Sequence, residues 1–119
     1  RTLRAECAGR DIRALEAVRV APFRPRSLDV SVVLDLMIHD LDLVLTLAGS
    51  ELVEVRATGG RAVSPNTDWA VAHLGFANGL RATVTASRLA VGLERQLRAL
   101  GPEGELRVDF LARSLDYVG

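Results

Sequence analysis

The chain has 119 residues, enough for one domain with a real core and too few for two. Its 15 basic and 15 acidic residues cancel, and no basic run occurs, which argues against nucleic acid as a partner. Hydrophobic residues at 49% against 25% charged suit a globular fold, and the single cysteine, Cys7, excludes an internal disulfide and fits a reducing, cytoplasmic setting with no secretory signal. Every basic residue is an arginine.

Residues 1–8 read as the last turns of a helix that Gly9 stops, which implies that something precedes them. From Ile12 to Phe23, β-branched content and the alternation of Glu16, Val18 and Val20 against Arg19 and Ala21 predict a strand, closed by Pro22 and Pro25. The loop Phe23-Arg24-Pro25-Arg26-Ser27 delivers two arginines just ahead of the next element. Val32 to Leu47, VVLDLMIHDLDLVLTL, predicts a long helix that is apolar nearly all round. Ser27, Asp29 or Ser31 can cap it and Gly49 stops it. The apolar run from Val30 to Ala48 carries Asp35, His39, Asp40 and Asp42, which excludes a membrane span.

Beyond Gly49 the pattern changes period. Leu52 to Arg61 alternates Val53, Val55 and Ala57 against Glu54, Arg56 and Thr58, the mark of a half-buried strand. Trp69 to Phe76 and Leu80 to Leu89 predict two strands joined at Ala77-Asn78-Gly79, because Asn-Gly tolerates the positive φ of a tight hairpin. Leu93 to Leu100 is a further strand, and Gly101-Pro102-Glu103-Gly104 turns it into Glu105 to Phe110. Ala112 to Val118 can add a last one. A helix followed by successive strands predicts an α+β fold: an open, largely antiparallel or mixed sheet of five to seven strands, with one long helix packed on one face. The other face should be partly apolar and pair with copies of itself as a homodimer or homotetramer. No glycine-rich phosphate loop is present.

Within the long helix, Asp35, His39 and Asp42 fall at i, i+4 and i+7 and share one narrow stripe. Two carboxylates and an imidazole on one line of an apolar helix need either pairing or use, since buried charge is costly. Asp40 lies well off that stripe and reads as structural. His73 shares a strand face with Trp69 and Val71 and reads as a sheet-face residue, possible at a subunit contact. A metal held by Asp35, His39 and His73, or a phosphohydrolase built on the His39-Asp40 pair, is disfavoured because the chain has two histidines and is not all-helical.

The segment Leu34-Asp35-Leu36-Met37-Ile38-His39-Asp40-Leu41-Asp42 resembles the D-x-x-x-H-D-x-D helix of the Gfo/Idh/MocA oxidoreductases. The likeness extends to Glu51-Leu52-Val53-Glu54-Val55, Asp68-Trp69-Ala70-Val71, the Phe76-Ala77-Asn78-Gly79 hairpin and the turn from Gly101 to Gly104. It implies the C-terminal, substrate-binding domain of an enzyme that oxidises a sugar hydroxyl with NAD or NADP. The family's Rossmann domain and Glu-Lys-Pro lysine are absent, so the segment is an excised domain or a truncated relative, inactive alone. By position, the resemblance makes His39 the acid/base on the substrate hydroxyl, Asp35 its orienting partner and Asp42 a sugar contact. The run from Phe23 to Val30 is most similar to members acting on UDP-sugars such as UDP-N-acetylglucosamine. That makes Arg24 and Arg26 candidates for a diphosphate, against the plain alternative of solvated loop arginines. A non-catalytic oligomerisation or scaffolding sheet is the competing reading.

Overall fold

The computed structural model describes residues 11–22, 31–32, 37–62, 66–111 and 114–118. In chain order these form β1 (Ala14–Val20), α1 (Ile38–Ala48), β2 (Leu52–Gly60), β3 (Trp69–Phe76), β4 (Arg81–Ser87), β5 (Glu94–Gly101), β6 (Gly104–Asp109) and β7 (Ser114–Val118). The strands make one seven-stranded sheet in the order β2-β3-β4-β1-β5-β6-β7. All neighbours are antiparallel except β1 and β4, which run parallel. A parallel pair needs a crossover, and here α1, β2 and β3 provide it.

Period-2 alternation builds one buried face from Leu15 and Ala17, Ala70, Ala72 and Leu74, Ala82, Val84 and Ala86, Leu97 and Ala99, and Leu106. Alanine recurs across the middle of this face, so a single helix can lie close to it. The helix turns Met37, Val44 and Ala48 onto the sheet, with Leu41 and Leu47 partly buried beside them. Gly49 ends it with φ 58°, a left-handed conformation that costs glycine little. The Asn78 side-chain amide donates to the Ala48 carbonyl at 3.3 Å, and its backbone N–H donates to Ser50 Oγ at 3.0 Å. The β3–β4 hairpin therefore closes the end of the helix.

Two expectations are corrected. The predicted Val32–Leu47 helix is described as Ile38–Ala48; Val32 is helical as well, and 33–36 lie outside the described residues. It is not buried on several sides, for Ile38 and Leu45 are 46% and 42% exposed and His39, Asp42 and Thr46 stand out with them. One helix over one sheet can bury only the stripe that faces the sheet. Nor is the strand after the helix half-buried: β2 is an edge strand, with Val53 and Val55 61% and 56% exposed. Its register with β3 puts Val55 and Ala57 on the helix side, but α1 packs chiefly over β1 and β4 and leaves them exposed.

The face away from the helix is layered. One row across the sheet runs Thr58, Val71, Thr85, Val18, Gln96 and Asp109, with two valines and two threonines at its middle and one edge. The next row runs Arg56, His73, Thr83, Glu16, Arg98 and Arg107 and is polar throughout. Arg98 donates to Glu105 and, at 3.2 Å, to Glu16. Its hydrogen bond holds the Glu105 carboxyl below the usual range, and the carboxylate in turn raises the Arg98 guanidinium.

Candidate functional site

The first turn of α1 sits at one end of the sheet, where β1 and β4 finish and β3 and β5 begin. Its anchor is Asp40. Sequence geometry puts Asp40 about 100° around the helix from His39, on the side that meets the sheet. There it accepts two hydrogen bonds from Arg19 of β1, from Nε to Oδ2 and from Nη2 to Oδ1, both 3.1 Å. The side chains are 15% and 6% exposed, so this is a fork-on-fork pair in a largely desolvated place. A carboxylate in the first turn also suits the helix dipole. The described helix has no side-chain cap hydrogen bond, and the ion pair ties its first described turn to β1. Asp40 is thus structural, as its position off the stripe implied.

The neighbouring residue has the opposite fate. His39 is exposed and makes no hydrogen bond or ion pair among the described residues. Asp42, three residues on, is exposed on the same side; its backbone carbonyl accepts from Thr46 Oγ1 at 3.0 Å. Asp35, Arg24 and Arg26 lie outside the described residues. The expected stripe is therefore seen in its second half, and the imidazole is not shielded within this chain. A histidine buried in the core for packing alone is excluded.

Two hollows lined by described residues lie on the sheet, and His39 lines neither of them. One of about 260 Å³ lies on the open face among Glu54, Arg56, His73, Arg81 and Thr83. The other, about 250 Å³, is formed by Ala57, Thr58, Gly59, Thr67 and Ala70. His73 is a sheet-face residue, as expected, with Nδ1 3.4 Å from Thr83 Oγ1. Among the described residues no three His, Cys, Asp or Glu side chains converge on a metal position, and no helix is long and apolar enough to cross a membrane. An exposed helix face is convex, so His39 needs a second wall to make a reaction cleft.

Two arginines at this end escaped attention in the sequence. Arg19 shares the helix-facing side of β1 with Leu15 and Ala17, and a cation in that apolar row was the available signal. Arg95 stands directly opposite it on β5, with its Cζ 5.7 Å from the Phe110 ring centroid. A further buried pair, Arg88 Nε to Asp68 Oδ1 at 2.8 Å, ties the end of β4 to the start of β3. Asp68 also accepts the Ala62 N–H at 2.7 Å.

With this geometry in place, residues 12–107 match the family described as GFO/IDH/MocA C-terminal domain. UDP-N-acetylglucosamine 3-dehydrogenase of Acidithiobacillus ferrooxidans is 48% identical over 103 residues, covering 87% of this chain and 33% of the relative. The solved structure of that enzyme superposes with a TM-score of 0.85 at 45% identity, over 93% of this chain and 36% of the other. A myo-inositol dehydrogenase from Corynebacterium glutamicum gives a TM-score of 0.76 at 25% identity, over 90% and 36%. The chain spans about a third of the length of these relatives.

Proposed function

The chain belongs to the GFO/IDH/MocA family as its C-terminal domain, and on that premise we propose that it is the substrate-binding and proton-accepting half of a sugar dehydrogenase. The substrate is a sugar or nucleotide sugar, with UDP-N-acetylglucosamine as the favoured class because of the relative that is 48% identical. The observation that carries this reading is the contrast between adjacent residues: Asp40 is buried and consumed by Arg19, while His39 is held beside it, exposed and unpaired among the described residues.

Oxidation of an alcohol removes a hydride from carbon and a proton from oxygen. NAD or NADP, when bound, supplies the hydride acceptor. This chain has no glycine-rich loop and no lysine, so the dinucleotide cradle and the second wall of the cleft belong to a separate Rossmann domain. His39 takes the hydroxyl proton, a task that suits an imidazole whose ordinary pKa lies near neutrality. Asp35, one turn earlier, orients the ring and the sugar, Asp42 contacts the sugar, and Arg24 and Arg26 grip a diphosphate. The apolar positions Ile38 and Leu45, open in this chain, give the Rossmann domain a surface to close against. The sheet face away from the helix pairs copies of the protein.

The test is steady-state cofactor reduction by the intact enzyme with UDP-N-acetylglucosamine. His39→Ala should slow turnover by roughly 10²–10⁴-fold, the range for a lost acid/base group. Asp35→Asn, which keeps the shape, should cost less. A folded His39→Ala enzyme working within about threefold of wild type would remove the catalytic role, since a true base is worth at least 10²-fold.

A further inference from the structure

We propose that Arg95 is an anion-binding residue of this site and grips the diphosphate of the nucleotide-sugar substrate. The inference rests on the function proposed above and adds a residue from a strand remote in sequence. Arg19 and Arg95 are cross-strand partners on β1 and β5, on the side of the sheet that faces the helix. One strand spacing, about 4.8 Å, separates their backbones. Like charges so placed oppose each other unless anions lie between them. Asp40 is one such anion, and Arg19 takes both of its oxygens. Arg95 has no ion pair among the described residues, and its Nε is buried without a hydrogen-bond partner. The acidic residue before it, Glu94, alternates to the opposite face.

The guanidinium is nonetheless held in place. Its Cζ stands 5.7 Å from the Phe110 ring centroid, within reach of a cation–π contact, and the Arg95 carbonyl accepts the Phe110 N–H at 2.8 Å. A desolvated donor without an acceptor is costly, and a preorganised arginine fork beside a neutralised ion pair is what a phosphate group would satisfy. The strand register sets Arg95 opposite Arg19, whose side chain holds the Asp40 that adjoins His39, which places this cation at the end of the sheet where the hydroxyl is to be oxidised. Such an arrangement lets one substrate engage a base at its sugar and a cation at its diphosphate.

The experiment uses the intact enzyme and calorimetric titration with four probes: UDP-N-acetylglucosamine, inorganic pyrophosphate, free N-acetylglucosamine and NAD⁺. Arg95→Met keeps the apolar stem over Phe110 and removes the charge. It should weaken UDP-N-acetylglucosamine and pyrophosphate on the order of 10–100-fold, with the free sugar and NAD⁺ changed by less than about threefold. Arg95→Lys, which keeps the charge and loses the fork, should weaken the first two probes by a smaller factor. If Arg95→Met does not fold, the lysine variant decides, and unchanged pyrophosphate affinity in it overturns the inference. Equal loss for all four probes, or loss confined to NAD⁺, overturns it too, the latter assigning the cation to the cofactor. A wild-type enzyme that oxidises no UDP-sugar yet binds pyrophosphate through Arg95 would instead overturn the proposed function.

Discussion

Replacing Asp40 with leucine isolates the pair that ties the helix to β1. The two side chains are 6% and 15% exposed and share two hydrogen bonds of 3.1 Å, so the loss leaves a guanidinium in a nearly dry place. Removing one partner of a buried pair typically costs about 3–5 kcal/mol. The residual exposure of Arg19 lets water recover part of this, which favours the lower end, about 3 kcal/mol. Arg95, the cross-strand partner of Arg19, keeps the figure from falling further, because a second cation then faces Arg19 across the ladder. Converting the whole pair, Arg19→Met with Asp40→Leu, should come back to within about 1 kcal/mol of wild type, since apolar replacement of a buried pair is often neutral. Urea unfolding of the wild type, the two single variants and the double variant gives the coupling directly. A cost below about 1 kcal/mol for Asp40→Leu, or a double variant as unstable as the sum of the singles, would refute the claim that this pair anchors the helix.

Two further outcomes follow from the sheet. Glu105 has its folded pKa depressed by the Arg98 hydrogen bond, so its contribution is present above the ordinary glutamate value of about 4.3 and is lost as pH falls through the depressed value. Unfolding midpoints measured across that acid window should fall less steeply for Glu105→Gln than for wild type; parallel curves would dismiss the linkage. At Gly101 a Cβ would collide with the Asp11 carbonyl, so Gly101→Ala should destabilise by about 1–3 kcal/mol in urea unfolding, and a neutral result would mean that the β5–β6 turn does not approach residue 11 so closely.

The parts of this fold legible in the sequence were those set by local rules. Asn78-Gly79 announced the hairpin and Gly49 the helix stop, and both act as read, with φ of 90° at Gly79 and 58° at Gly49. Strand β3 was found at Trp69–Phe76, and the others within one to three residues at each end. Exposure was not legible, because alternation reports which residues share a face and not whether anything lies on it. Val53 and Val55 alternate as a buried strand does, yet they are 61% and 56% exposed at the sheet edge. The apolar circumference of the helix misled in the same way, since Ile38 and Leu45 are exposed on it. Asp40 was separable from His39 by helical angle alone. The meeting of Arg19 with Arg95 was not, for it depends on a strand register that joins residues far apart in the chain.

The position of β1 in the sheet also bears on how the protein is made. Ala14 pairs with Arg81 on one side and with Leu100 on the other, so the middle strand is synthesised ahead of both its neighbours. At ribosomal speeds, about 5–20 residues per second, the interval between the emergence of β1 and of β5 is on the order of 4–16 s. A short strand of ALEAVRV waits with both edges unpaired until β4 emerges, and its other edge stays open until β5 arrives. Topologies dominated by such distant pairings fold slowly. A nascent chain halted before residue 94 holds the helix and half of the sheet with its central strand open to any competing edge, which makes the arrival of β5 the step that commits the domain.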